Sequence, residues 1–422
     1  MHRYAIILSA LCAAVSLSAA PGCDRSRVES TGGICCDESA AAVFLASKLD
    51  DDDGDGSPLD EDFPRIDDED DDIADHAWIM DDRGLYHLFF QTEDHGSGSF
   101  IEHYVTSGFE GLRYVGPALR PNPDGWDSYS LWAPHVIRSG KTYYMFYTGT
   151  DGPAGDPGAK QRIGLATSTD LLTWTRSPVN RCPGTSGDGC VYECSECWTT
   201  WGGPVGSFNQ QCRDPFVIRD DVRDRWLMFA TAKSVNGYGV VTVARSPDLR
   251  SWRGAGFIDA TRRLEDGTDA QTTGGQAENP FVVRHDGAYY LLFTDWQDPE
   301  DSVTTAHPRT IVQYATSSTL DADTSGSAVW TYRGYTPDPG VNAIEVIHVG
   351  RDVWIMSESI SNERSGLWAR RRELRLRGIV WGPGFAFDAS NVNLRCGPAY
   401  RSIDPLSVEA PAEEPIHEAV SP

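Results

Sequence analysis

Tyr143-Tyr144-Met145-Phe146-Tyr147-Thr148-Gly149-Thr150 is a run of strand-forming aromatic residues that ends in small polar ones, and the chain uses it again and again. Related runs begin at Tyr86 (YHLFFQ), Arg225 (RWLMFATA), Tyr289 (YYLLFTDW) and Val353 (VWIMSES), at successive separations of 57, 82, 64 and 64 residues. A recurrent period of this size signals a stacked or circular architecture. Around each run lie further short stretches rich in Val, Ile, Tyr, Phe and Trp. They are cut by turns such as Arg138-Ser139-Gly140-Lys141 and His285-Asp286-Gly287, the pattern of antiparallel strands. A later strand recurs as well, in Ile163 to Trp174, in Val240 to Trp252 and more loosely from Ile311. No amphipathic helix of useful length competes. Units of roughly 60 residues with about four strands each are propeller blades, and closing them into a ring protects their edges. The expectation is therefore an all-β, five-bladed β-propeller over residues 66–404. With 40% hydrophobic residues and 13 Trp in 422, the chain has enough apolar material for such a core.

The 82-residue interval is longer than the others, and the surplus falls in residues 178–212, which hold five cysteines. This loop has too few apolar runs for a core of its own, so covalent bridges are expected to hold it. Cys194-x-x-Cys197 also suits zinc, but disulfides are favoured if the chain is exported. The odd count leaves one cysteine with a partner elsewhere, Cys396 or the Cys35-Cys36 pair being the candidates.

Export is the reading of residues 1–22. An apolar stretch from Tyr4 to Ala20 follows His2 and Arg3, as in a secretion signal. Ala20-Pro21-Gly22-Cys23 is similar to a lipoprotein processing site, which makes Cys23 a candidate lipid anchor beside plain secretion. Residues 23–65 read as an acidic, disordered linker and residues 405–422 as a disordered tail. The formal net charge is −26, and residues 50–72 alone carry fourteen Asp and Glu against Arg65, half of that imbalance. Nucleic acid is an unsuitable partner for so acidic a chain. Asp51, Asp53 and Asp55, followed by Gly56, have the spacing that opens a calcium loop; the competing reading is a solvated spacer. A structural calcium is thus conceivable, while no cofactor is required. The expected state is a monomer, secreted or held at the outer surface or in the periplasm.

Asp75 lies eleven residues before Tyr86, Asp214 eleven before Arg225 and Glu278 eleven before Tyr289. Counted from the aromatic run, the three acids share one register, and equivalent positions near the start of innermost strands converge on the propeller channel. Converging carboxylates repel and shift each other's proton affinity, which proteins keep mostly for chemistry. The chemistry that uses them is glycosidic-bond cleavage: one acid protonates the leaving oxygen, a second attacks or activates water, and a third can hold sugar hydroxyls. Structural turn-capping acids are the alternative.

Over most of residues 66–385 the sequence resembles the five-bladed propeller glycoside hydrolases of families 32 and 43. Arg213-Asp214-Pro215 matches the Arg-Asp-Pro motif of family 32, Glu278-Asn279-Pro280 is similar to the general-acid motif, and Leu131-Trp132-Ala133-Pro134 is similar to the Trp-Ala-Pro of family 43. Tyr86-His87-Leu88-Phe89-Phe90-Gln91 stands at the family 32 distance from Asp75, although His76-Ala77-Trp78 replaces the Pro-Asn-Gly that follows the family's aspartate. The resemblance implies Asp75 as nucleophile or general base, Asp214 as transition-state stabiliser and Glu278 as general acid, acting on fructofuranosyl or arabinofuranosyl units. It implies retention if family 32 is the guide and inversion if family 43 is. The chain has no room for the C-terminal β-sandwich common in family 32, so one catalytic domain is expected. Trp78, Trp132 and Trp296 are candidate sugar-stacking residues, with core packing as the alternative. His135, Glu345 and His348 are candidates to bind sugar or a channel metal, with satisfied turn residues as the alternative, and Arg213 is placed to orient Asp214 or to fork onto hydroxyls. Two other readings stand beside the enzyme: a carbohydrate-binding propeller without catalysis, and a surface structural protein whose acidic stalk is the working part.

Overall fold

The computed structural model describes residues 73–92, 98–107, 112–153, 159–201, 211–235, 239–259, 277–297, 309–322, 329–335, 341–349, 353–361 and 372–379. The expected signal, linker, calcium loop at Asp51, Asp53 and Asp55, lipid-anchor candidate Cys23, cysteines 35, 36 and 396 and C-terminal tail lie outside the described residues. Every named element is a strand. The first sheet contains β1 (Ile73–Met80), β2 (Tyr86–Thr92), β3 (Ile101–Thr106) and β4 (Arg113–Leu119). The second contains β5 (Ser130–Ser139), β6 (Thr142–Thr150), β7 (Gln161–Ser168) and β8 (Thr175–Arg176), with β9 (Cys190–Tyr192) also on β7. The third contains β10 (Cys212–Asp220), β11 (Arg225–Lys233), β12 (Gly239–Ser246) and β13 (Arg253–Asp259). The fourth contains β14 (Ala277–His285), β15 (Ala288–Gln297), β16 (Arg309–Ser317) and β17 (Thr331–Tyr335). The fifth contains β18 (Val341–Val349), β19 (Val353–Ser361) and β20 (Arg372–Ile379).

Each sheet is an antiparallel meander in sequence order, which short turns can connect. The first strands of successive sheets touch in a closed circuit: β1 meets β5, β5 meets β10, β10 meets β14, β14 meets β18, and β18 returns to β1. The fold is an all-β propeller, and β1, β5, β10, β14 and β18 surround its channel.

The aromatic runs are the second strands, and their composition follows from being sandwiched. Successive side chains of a strand face opposite ways, and here both faces meet a neighbouring sheet. On β2, Phe89 packs with Leu131, Met145 and Tyr147 of the second sheet. Its neighbours Leu88 and Phe90 pack with Ile347, Ile355 and Leu376 of the fifth. All seven residues of β2 are buried, His87, Gln91 and Thr92 included, and Leu88 to Phe90 form its unbroken apolar stretch. The loops after the third strands are built alike in sheets two and three. Asp170 Oδ1 accepts from the amides of Leu172 and Thr173 while Trp174 Nε1 donates to the Leu171 carbonyl; Asp248, Arg250, Ser251, Leu249 and Trp252 repeat this geometry.

The cysteine-rich loop is held by Cys182–Cys190 and Cys194–Cys212. Cys197 is exposed and unbridged, so the bridge from this loop to a distant cysteine is absent among the described residues. Cys194-x-x-Cys197 is no zinc pair here, since Cys194 is consumed by Cys212.

Candidate active site

The site is made by a bulge that recurs near the start of every channel strand. In β10, Arg213 pairs with Thr231 and Phe216 with Phe229, so Asp214 and Pro215 together oppose one residue. The same two-against-one step falls at Ala133-Pro134 in β5, Asn279-Pro280 in β14, Ala74-Asp75 in β1 and Asn342-Ala343 in β18. Such bulges bend the strand and re-aim side chains. The first bulge residue adopts left-handed backbone where its angle is given, with φ of 44° at Ala133, 54° at Asp214 and 51° at Asn279. The following proline fixes its own φ and has no N–H to lose from the ladder.

This corrects the shared register expected of the three acids. Glu278 is the paired residue just before its bulge, Asp214 is the first bulge residue and Asp75 the second. The equal spacing of eleven arises because the connecting hairpins differ in length, running from Met80 to Tyr86, from Asp220 to Arg225 and from His285 to Ala288. The true equivalents of Glu278 are Arg213 and Trp132, and the equivalent of Asp214 is Asn279.

The displaced carboxylates are nevertheless tied into one network. Arg213 Nη2 donates to Glu278 Oε1 at 2.5 Å, and Arg213 Nε lies 3.4 Å from Asp214 Oδ2. The Asn279 amide N–H donates to Asp214 Oδ2 at 3.2 Å, and its side-chain Nδ2 donates to Asp75 Oδ1 at 2.7 Å. Asp214 Oδ2 also accepts from Thr231 Oγ1 at 2.8 Å, while the Asp214 amide donates to Thr148 Oγ1 at 2.9 Å. Gln161 Oε1 accepts from Arg213 Nη1 at 3.4 Å. Asn279, Thr148, Thr231 and Gln161 carried no sequence signal for these roles, because a threonine in a strand reads first as a β-former.

Burial dominates the electrostatics. It pushes the Asp214 carboxyl up to about 6, against the pull of Arg213. Burial works against charge on Arg213 too, but Glu278 and Asp214 outweigh it and hold the guanidinium more firmly protonated than usual.

Asp75, Asp214 and Asn279 line one cavity together with His76, His135, Phe216, Phe281 and Glu345. His135 Nε2 lies 3.1 Å from the Val217 carbonyl, and burial lowers its proton affinity to a pKa of about 4, so the ring is neutral and donates from Nε2. Glu345 is buried, accepts from the Trp78 amide, and is pushed well above the usual carboxylate range by burial. His348 stacks on Trp354 and does not line the cavity. Among the described residues no group of three His, Cys, Asp or Glu is arranged to hold a metal.

The tryptophans separate. Trp132 is half-buried at the position of Arg213 and Glu278. Trp78 requires a correction: its indole is buried in the core between sheets one and five, with Nε1 donating to Ser357 Oγ at 3.0 Å, and it presents no face to the cavity. Trp296 sits in β15 opposite Thr310, and its side chain lies outside the description.

The fold is a propeller, and the family match defines the class as the glycoside hydrolases. Within that class the chain belongs to glycosyl hydrolases family 43, whose sequence profile matches residues 70–385. Over 174 residues it is 29% identical to the probable sucrose-6-phosphate hydrolase of Psychromonas ingrahamii, a match spanning 40% of this chain and 28% of that protein. Its fold is similar to the endo-arabinase of Bacteroides thetaiotaomicron (TM-score 0.52, 16% identity, 75% of this chain and 96% of that one). It is also similar to the sucrose-6-phosphate hydrolase of Lactobacillus gasseri (TM-score 0.54, 14% identity, 82% of this chain and 65% of that one). At such identities the structural likeness concerns the fold.

Proposed function

We propose that this protein is a five-bladed propeller that hydrolyses furanosidic bonds, fructofuranosyl or arabinofuranosyl, in oligo- or polysaccharides. The five sheets and their closed circuit of first strands support the blade number. The observation that supports the activity is the continuous network Asp75–Asn279–Asp214–Arg213–Glu278, which links carboxylates of three sheets by direct contacts. The family match and the names of the relatives, an arabinase and two sucrose-6-phosphate hydrolases, support furanosides as the class.

In this reading Glu278 protonates the leaving oxygen. Arg213 Nη2, bonded to Glu278 Oε1, is placed to turn its N–H groups to sugar hydroxyls when substrate enters. Asp214, ionised, accepts sugar hydroxyls and stabilises positive charge in the transition state. Asp75, held by Asn279, activates water from the opposite side, which gives inversion, the outcome implied by family 43. Trp132 supplies a stacking face at the rim. The chemistry calls for no cofactor, and the N-terminal sequence supports a secreted or surface-anchored protein.

The test is a panel of aryl furanosides and pyranosides with NMR detection of the first-formed anomer. Release from a furanoside with inverted configuration is expected. Turnover of pyranosides alone would overturn the substrate class. Binding of arabinan or fructan without any turnover would replace the enzyme by a carbohydrate-binding propeller.

A further inference from the structure

Thr231, on β11, is completely buried, and its hydroxyl has two acceptors within hydrogen-bond distance. Oγ1 lies 2.8 Å from Asp214 Oδ2 on its own sheet and 2.9 Å from the carbonyl oxygen of Ala277 on the next. A hydroxyl has one proton to donate and can also accept, so it cannot donate to both at once. We propose that Thr231 is a proton-linked positioning residue, whose hydroxyl couples the charge state of Asp214 to the backbone immediately before Glu278. This rests on the catalytic roles given above and adds a link between two of them.

When Asp214 is ionised, Thr231 donates to its Oδ2. When Asp214 carries a proton on Oδ2, that proton is donated to Thr231 Oγ1 and the threonine proton turns to the Ala277 carbonyl. A chain Asp214 O–H···Oγ1–H···O=C Ala277 then spans sheets three and four, and no atom changes owner except the proton taken from solvent. Ala277 precedes Glu278 directly, so the carbonyl contact gains or loses its donor beside the proposed general acid. Burial of Asp214, with its carboxyl at about 6, puts the change within reach of ordinary working pH.

Charged and titratable groups face this pair from several elements, Glu345 of β18 among them, which lines the same cavity as Asp214. Arg213 lies beside Asp214 on β10 and joins it to Glu278 on β14. Asp75 of β1 is reached through Asn279. His135 of β5 faces Phe216 and the Val217 carbonyl. Of these, Arg213 carries a fixed positive charge beside the couple, and neutral His135 leaves it undisturbed.

The experiment follows the side-chain carboxyl resonance of Asp214 by carbon-13 NMR against pH in wild type, Thr231→Val and Thr231→Ser, with Asp214→Asn identifying the signal. Valine keeps the shape and loses the donor to the ionised form, so the midpoint is expected to rise by about one pH unit, and serine should return it to the wild-type value. The ascending limb of kcat/KM on an aryl furanoside should move with the midpoint. A threonine that merely packs would lower activity equally at all pH values and leave the midpoint in place. An unchanged midpoint in the valine variant, or one that serine fails to restore, overturns the proposal. If wild type turns over no furanoside, the substrate reading fails while the NMR comparison still decides the proton link.

Discussion

The bulges of the second and third sheets share a backbone and differ in what they carry. Ala133-Pro134 and Asp214-Pro215 oppose a single residue of the next strand, start from φ of 44° and 54°, and have their amides capped by a neighbouring sheet, through Gln91 Oε1 and Thr148 Oγ1 respectively. The left-handed step is thus a property of the repeating fold. What sheet three adds is a charge at that step, an arginine before it, and a disulfide from Cys212 back to Cys194. The same bulge recurs on the first strand of each sheet, and in sheets one, three and four the side chains near it are joined across sheets.

The sharpest way to break the comparison is to make the fourth sheet as chemically silent as the second. Glu278→Gln keeps the size and an acceptor for Arg213 Nη2 but cannot donate an acidic proton. The expected loss in kcat on a poorly activated furanoside is about 10³-fold, with a near-normal melting temperature and much less loss on a substrate whose leaving group needs no protonation. Equal losses on both substrates would remove Glu278 from the general-acid role.

Next in size is the covalent brace. Cys194 and Cys212 are 18 residues apart in sequence and both fully buried. Replacing both with alanine should cost about 3 kcal/mol by loop-closure entropy, measured by denaturant unfolding under oxidising conditions. Since Cys212 precedes Arg213, KM should rise as well, whereas breaking Cys182–Cys190 should leave KM alone.

How much of this was legible in the sequence follows from what each signal depends on. The sheets were legible because both faces of each second strand are buried: runs such as Tyr143 to Thr150 have no polar alternation to hide them. The acids were legible as a set, but their register was not. Distances counted from the aromatic run include the hairpin, and the hairpins at Met80–Tyr86, Asp220–Arg225 and His285–Ala288 differ in length. Aligning instead on Pro134, Pro215 and Pro280 places Trp132, Arg213 and Glu278 together, since a proline that follows a left-handed residue marks the bulge itself. The links through Asn279, Thr148 and Thr231 cross between sheets, and no local pattern announces a partner more than 40 residues away. Trp78 misled because a tryptophan beside a catalytic candidate looks the same in sequence whether its ring faces the channel or the neighbouring sheet.

Asp214 offers a smaller effect of opposite sign. Its carboxyl stands at about 6 because burial disfavours the charge, against 3.8 for the ordinary side chain. A raised carboxyl stabilises the fold in the protonated form: that contribution is full below about pH 4 and is lost as pH rises through 6. At neutral pH the protein therefore holds an ionised group that its surroundings resist. Asp214→Asn keeps acceptors for Thr231 and the Asn279 amide and removes the charge. It should abolish activity yet raise unfolding stability at pH 7 by on the order of 2 kcal/mol, with the gain vanishing by pH 4. A variant less stable at pH 7 than wild type would show that the Arg213 pairing outweighs burial.

The smallest effect isolates the backbone from the chemistry. Ala133 holds φ of 44° with no charge to justify it, a region that costs a residue bearing a Cβ about 1–2 kcal/mol. Glycine relieves that strain but brings more freedom to the unfolded chain, worth about 0.5–1 kcal/mol. Ala133→Gly should therefore be neutral to stabilising by up to about 1 kcal/mol, with kcat and KM unchanged. Asp214→Gly gains the same backbone relief and loses the carboxylate that caps the Asn279 amide and meets Arg213, so its thermal stability should rise no further than that of Asp214→Asn while activity is lost. If Ala133→Gly instead lowered activity as Asp214→Gly does, the second sheet's bulge would be part of the chemistry, and the division between a shared scaffold step and a local charge would fail.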